Sequence, residues 1–354
     1  FQVARCFRDE DSRGDRQPEF TQLDIEMAYT SMQGIMDLNE NLLLEVIKKV
    51  YGNKWKIEPF QVLTYKDAMG KYGCDKPDLR YGLEMQDITD IVKETEFQVF
   101  KKPITDGGIV KCIKVDAGLQ KQRLSKGQIE KLTSIAQENG LGGLAYIFVN
   151  EGDLQSPILK FLGEEVAQNI INAADAKVGD VVFFSAADYD TANKALDAVR
   201  QELAQLLKLI DPKVLCPAWV VDFPQFEMTD EGRYTFSHNP FSMPKFEDLD
   251  KHMAGEDVGN ILAQQYDLVL NGFEIGGGSV RAHKPEILEA TYKNMGYNKE
   301  EMMKSVGTMY DSFHYGAPPH GGIAWGIDRL LMILEKKASI REVMAFPKTG
   351  SGED

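Results

Sequence analysis

The chain has 354 residues, 43% hydrophobic and 27% charged, with a formal net charge of −15. That length allows about two or three domains with real cores, and the acidic balance excludes a broad basic surface for nonspecific nucleic-acid binding, though not local patches such as Arg13 and Arg16. No apolar run approaches the roughly 20 residues that cross a bilayer, and no signal peptide opens the chain. Taken in chain order, residues 1–30 carry two β-like runs around a charged loop at residues 10–19. Ala4, Cys6, Arg8 and Glu10 share one face of the first run. Phe20, Gln22, Asp24 and Glu26 share a face of the second, and Leu23, Ile25, Met27 and Tyr29 take the opposite, core-facing side. The alternation equally suits a solvated sheet face or a polar binding surface.

Residues 36–52 read as a helix in which Leu38, Leu42, Leu43, Val46, Ile47 and Val50 recur at helical spacing, with Gly52 as its stop. From about residue 88 the texture changes. GGIVKCIKV, GGLAYIFVN and GDVVFFSAA read as strands between helices, and Ser125 with Gln128 forms a capping-box signal. This describes a self-contained α/β module over residues 88–212, set between parts at 1–87 and 213–354. The module shows no chemistry of its own. Cys6, Cys74, Cys112 and Cys216 are scattered, and read as reduced thiols of a cytoplasmic protein rather than a disulfide framework or a zinc site.

After residue 213 the first texture returns. Asn271-Gly272 between apolar flanks predicts a two-residue hairpin turn, pairing Leu270 with Phe273 and Val269 with Glu274. Strict alternation then sets Asp267 and Glu274 on one face as diagonal neighbours, an arrangement suited to Mg²⁺ on nucleotide phosphates. Gly276, Gly277 and Gly278 strip side chains from the strand, for close approach of a ligand or for a bulge. Residues 321–329 read as a strand running into a helix, with Leu330, Leu331, Ile333 and Leu334 on its buried side.

Three of these segments carry a resemblance. Phe7-Arg8-Asp9-Glu10 with its loop and second strand resembles motif 2 of the class II aminoacyl-tRNA synthetases. The continuation RQPEFTQLDIEM is similar to the aspartyl enzymes of bacterial type, and the run Gly321-Gly322-Ile323-Ala324-Trp325-Gly326-Ile327-Asp328-Arg329 resembles motif 3. In order with GGGSVR, these motifs span nearly the whole chain.

The resemblance implies an α+β fold: a class II catalytic domain, an antiparallel sheet flanked by helices, interrupted by an α/β insertion. It implies activation of L-aspartate with ATP and transfer to the 3′-terminal adenosine of tRNA. Arg8 would bridge aspartate and the α-phosphate, and Arg329 would meet the γ-phosphate, the two forming the catalytic pair. Asp9, Glu10, Gln17, Phe20, Glu274, Gly326, Ile327 and Asp328 would complete the ATP site. Asp24, His238 and Arg281 would hold aspartate together with Arg8, and Asp267 and Glu274 would bind Mg²⁺. The loop at residues 11–16 would meet the tRNA acceptor end, chiefly through Ser12 and Arg13. Asn239 stands where many relatives carry a second histidine.

The chain begins within a strand with no start methionine. Motif 1 and an anticodon-binding barrel are therefore expected before Phe1, and a homodimer is expected for the longer parent, with this fragment inactive alone. An aspartate-activating amidation enzyme and a noncatalytic tRNA-binding paralogue are the alternatives.

Overall fold

The computed structural model describes residues 1–9, 14–120 and 123–349. The chain forms two compact units, one of Phe1–Tyr65 with Lys213–Asp354 and the other of Lys66–Pro212. The segment expected at 88–212 lies within the second.

Among the described residues, the main sheet of the first unit has seven strands. These are β1 (Gln2–Phe7), β2 (Glu19–Ala28), β3 (Gln61–Thr64), β4 (Pro217–Val221), β5 (Gln265–Leu270), β6 (Phe273–Val280) and β7 (His320–Gly326). Their spatial order is β1-β2-β7-β6-β5-β4-β3. The pairings are antiparallel except β3 with β4, which is parallel.

One face of this sheet is apolar because every second residue of its strands is. Leu23, Ile25 and Met27 of β2, Ile323 and Trp325 of β7, and Leu268 of β5 pack there with Trp219. Tyr29 does not follow its three predecessors. It is 83% exposed with a φ of +56°, so the strand has already turned away from the core at that point.

Helix α1 (Met32–Tyr51) covers the apolar face. Ser31 caps its start by accepting from Gly34 N, and Gly52 ends it with a φ of +58°. Its buried stripe is Ile35, Met36, Asn39, Leu43 and Ile47. Leu38 and Val50, expected on that stripe, are 41% and 65% exposed, because the core contacts only the line centred on Leu43. Further helices are α2 (Pro285–Asn294), α3 (Lys299–Phe313) and α4 (Ile327–Leu334). In α4, Leu330, Met332, Ile333 and Leu334 are buried, whereas Leu331 points outward at 36% exposure.

In the second unit the strands lie in the order Met85–Asp87, Ile109–Val115, Val181–Ala187, Ala145–Val149 and Leu154–Gln155. Each pairing is antiparallel. Ile109–Val115 and Ala145–Val149, linked through helix Lys126–Glu138, both flank Val181–Ala187, a split β-α-β arrangement. Helices cover both faces of this sheet. That explains the unbroken apolar run Val181-Val182-Phe183-Phe184, each residue of which is buried. The Ser125–Gln128 capping box forms as its spacing predicts.

Arg200 fixes the start of this unit. Its guanidinium lies between the rings of Tyr72 and Tyr81 and donates to the carbonyls of Asp78 and Gly82, both at 2.7 Å. Among the described residues, no helix is long and apolar enough to cross a membrane.

Candidate active site

The polar face of the seven-stranded sheet is built by register. Asp24 of β2 lies opposite Ala324 of β7, Ala324 opposite Gly277 of β6, and Gly277 opposite Asp267 of β5. The next row runs Glu26, Gly322, Ser279 and Gln265. Directly paired residues share a face, so the central strands offer only glycine, alanine and serine there. A trough with polar walls results, within a cavity of about 900 Å³.

The Asn271-Gly272 turn forms with φ values of +51° and +88°, and Leu270 faces Phe273 while Val269 faces Glu274. Beyond it the register shifts between Leu268 and Val269. Strict alternation, which would pair the carboxylates as simple diagonal neighbours, therefore fails here. The bulge absorbs Ile275, which turns into the core at 1% exposure, and so restores Glu274 and Gly277 to a common face. A methyl group at Gly277 would lie 2.8 Å from Asp267 Oδ1 and 3.2 Å from Glu274 Oε1, so both carboxylates reach the same small volume.

All three glycines line the cavity, but only at Gly277 would an added Cβ enter the space between the two carboxylates. A methyl at Gly278 would collide with the Gly322 carbonyl, and one at Gly276 would lie 2.9 Å from Trp325 Cδ1. Those two positions are fixed by strand packing. Among the described residues no group of three or more His, Cys, Asp or Glu side chains forms a metal cluster. Two carboxylates on a cradle that a Cβ would fill do fit Mg²⁺, which keeps several waters and binds through phosphate oxygens.

Guanidinium groups stand at the two ends of the trough. Arg281 follows β6, and its Nε and Nη2 donate to Glu26 Oε1 and Oε2, both at 3.2 Å, while Nη1 donates to Ser279 Oγ at 2.9 Å. Glu26 reaches it by lying across Gly322, where a methyl group would meet the Glu26 carboxylate. Arg329, in the first turn of α4, donates through Nη1 to the Glu274 carbonyl at 2.6 Å. Its neighbour Asp328 is engaged in the fold, accepting from Thr21 N at 2.7 Å and so tying α4 to β2.

Between these ends lies the first hairpin, in which Cys6 faces Phe20 and Ala4 faces Gln22. Arg8 Cζ sits 5.2 Å from the centre of the Phe20 ring. Around the trough, three buried polar atoms have no hydrogen-bond partner among the described residues: Gln17 Oε1, Asp24 Oδ1 and Arg329 Nε. Buried polar groups are normally paired, so these three atoms are open to a polar ligand in the trough. The Cys6 thiol is pushed up by burial and by the Asp24 charge beside it, which keeps it protonated.

His238 lies on the cavity wall with its ring edge-on to Phe223 at 5.1 Å. Asn239 also lines it, but its Oδ1 accepts from Phe241 N and Ser242 Oγ, both at 3.1 Å, and so shapes the loop. The structure thus brings Arg8, Gln17, Phe20, Asp24, His238, Asp267, Glu274, Gly326, Asp328, Arg281 and Arg329 to one cavity. Asp9 is exposed beyond the end of β1, and Ile327 opens α4 without lining the cavity. Glu10, Ser12 and Arg13 lie outside the described residues. Gln265 and Ser279 also line the trough, or sit in its second row, without any signal in their own sequence. Asp15 is legible in the sequence only as part of a loop, Arg16 as a local basic patch, and Glu26 only as one more polar residue in the alternation of β2.

An open, largely antiparallel sheet whose polar trough ends in a strand-to-helix junction is the frame on which the sequence comparisons fall. The family described as tRNA synthetases class II (D, K and N) matches residues 1–350, and the chain belongs to it. It is 44% identical over 352 residues to an aspartate–tRNA(Asp/Asn) ligase of Natranaerobius thermophilus, covering 99% of this chain and 59% of that protein. To an aspartate–tRNA ligase of Listeria welshimeri it is 42% identical over 355 residues, covering 100% of this chain and 59% of the relative. Against an aspartate–tRNA(Asp/Asn) ligase of Bacillus subtilis the identity is 44% over 353 residues, with shares of 99% and 59%. The chain therefore spans about three fifths of the length of these curated relatives.

Proposed function

We propose that the chain is the catalytic region of an aspartyl-tRNA synthetase that forms aspartyl-adenylate and passes the aspartyl group to tRNA. The observation that carries this reading is the pair of arginines at opposite ends of the trough, with an Asp24 carboxylate oxygen, unpartnered among the described residues, between them. From His320 to Gly326 the intervening strand runs roughly 20 Å at about 3.3 Å per residue, a span suited to an extended amino acid joined to a nucleotide.

Arg281 takes the side-chain carboxylate of aspartate. With Nε and Nη2 on Glu26, the guanidinium offers its remaining N–H groups and its charge to the substrate carboxylate, a match that the amide of asparagine lacks. Asp24 accepts the substrate ammonium, and His238 closes that end. Arg8 faces the reacting carboxylate and the α-phosphate, Phe20 stacks on adenine with Gln17 beside it, and Arg329 receives the terminal phosphate near the start of α4. Asp9, Glu10, Gly326, Ile327 and Asp328 belong to the same ATP site, and Ser12 and Arg13 to the tRNA acceptor contact.

Asp267 and Glu274 would hold Mg²⁺, which neutralises phosphate charge when bound. In the first step an α-carboxylate oxygen of aspartate bonds to the α-phosphorus as the bond to pyrophosphate breaks. In the second, a hydroxyl of the terminal adenosine attacks the aspartyl carbonyl and AMP leaves. Neither step needs a covalent enzyme intermediate; positioning and charge stabilisation suffice.

Residues 88–212 are read as the module that aspartyl enzymes of bacterial type insert into this domain, a scaffold or tRNA-facing surface. The parent protein is read as a cytoplasmic homodimer. The test of the overall reading is transfer: the full-length protein with ATP and labelled aspartate should place label on aspartate tRNA. Label recovered as free asparagine would support amidation instead.

The Mg²⁺ assignment has its own test. Gly277→Ala forces Asp267 and Glu274 apart, since a contact of 2.8 Å is shorter than real Cβ atoms accept. Affinity for the magnesium complex of ATP should fall at least about tenfold, as when groups that orient metal ligands are disturbed. An unchanged magnesium titration of nucleotide binding would contradict it.

A further inference from the structure

The described residues lining the trough include the acids Asp15, Asp24, Glu26, Asp267, Glu274 and Asp328 against four arginines, so an anionic ligand enters a site already rich in negative charge. One of those acids sits on the arginine proposed to receive the nucleotide tail. Arg329 Nη2 lies 3.2 Å from Asp15 Oδ2 and 3.3 Å from the Asp15 carbonyl.

We propose that Asp15 is the resting counter-ion of Arg329, and that the terminal phosphates of a bound nucleotide displace its carboxylate. The inference rests on the nucleotide reading of the trough, but not on which amino acid is activated.

Three features separate this contact from a permanent structural bridge. Arg329 is anchored elsewhere, by the short Nη1 bond to the Glu274 carbonyl, so loss of Asp15 does not release the head. The chain beside Asp15 is also held independently, since Ile340 N donates to the Gly14 carbonyl at 2.8 Å. The Asp15 side chain is 34% exposed, so a displaced carboxylate turns into water rather than being left buried. The Arg329 Nε, unpartnered among the described residues, shows in addition that this arrangement leaves part of the guanidinium donor set unused.

A counter-ion competes with phosphate for one cation. Removing it strengthens binding of any nucleotide whose phosphates reach Arg329, and leaves shorter nucleotides alone. The experiment is equilibrium binding of ATP and of AMP to the full-length protein, by calorimetry, for the parent, Asp15→Asn and Asp15→Glu. Asp15→Asn should bind ATP about two- to fivefold more tightly, the range that a partly exposed ion pair carries. AMP affinity should not move, and Asp15→Glu, which keeps the charge, should return ATP binding toward the parental value.

Asp15→Ser provides a second charge-removing variant with the same expectation should Asp15→Asn fold poorly. No gain in ATP affinity in either variant would overturn the proposal, as would equal shifts for ATP and AMP, which report a general change in the loop. Parental protein that binds ATP but shows no aspartate-dependent chemistry would remove the aspartyl reading and leave this one intact.

Discussion

Arg281→Leu in the full-length protein should abolish aspartate activation, lowering kcat/KM for aspartate roughly 10⁴-fold, the discrimination a site loses when a recognised polar group has no partner. The substitution leaves an apolar stub where a guanidinium met the substrate carboxylate, and it also leaves Glu26 facing that carboxylate without the cation between them. Stability should hardly change. The Arg281–Glu26 pair is partly exposed, 20% and 50% by side chain, and such pairs contribute up to about 1 kcal/mol. Aspartate-dependent exchange of pyrophosphate into ATP, with thermal unfolding alongside, separates the two effects. Near-normal exchange would refute the assignment.

Arg8→Ala should lower kcat for the same exchange by about 10²–10³, the loss seen when one donor aimed at transition-state charge is removed, with a smaller change in ATP affinity. Arg8 sits over the Phe20 ring and its backbone N–H donates to the Pro18 carbonyl at 2.9 Å, so the hairpin keeps its own anchor when the guanidinium is lost. A loss confined to KM for ATP would assign Arg8 to ground-state binding instead.

Much of this site is written in local pattern. The alternation of β2 from Phe20 to Met27 and the Asn271-Gly272 turn each follow from neighbours a few residues apart, and each appears in the fold where its period places it. Ser125 with Gln128 is another such case.

What escaped the sequence depends on distance or on a single inserted residue. Nothing in the composition of β6 announces that Ile275 is absorbed by a bulge, yet that residue decides that Gly277 rather than Gly276 lies beneath the two carboxylates. Tyr29 continues the apolar alternation and still leaves the core, because the strand ends one residue earlier. Glu26 meets Arg281 across 255 residues, and Asp15 meets Arg329 across 314, so no local period could reveal either pair. The order of strands in the second unit is equally nonlocal: Val181–Ala187 pairs between two strands that precede it.

The central claim is that this trough activates aspartate. The most direct measurement is ATP–pyrophosphate exchange by the full-length protein with each of several amino acids in turn. Exchange stimulated by L-aspartate and not by L-asparagine is the expected result; no stimulation by aspartate, or equal stimulation by asparagine, would contradict the proposed roles of Arg281 and Asp24.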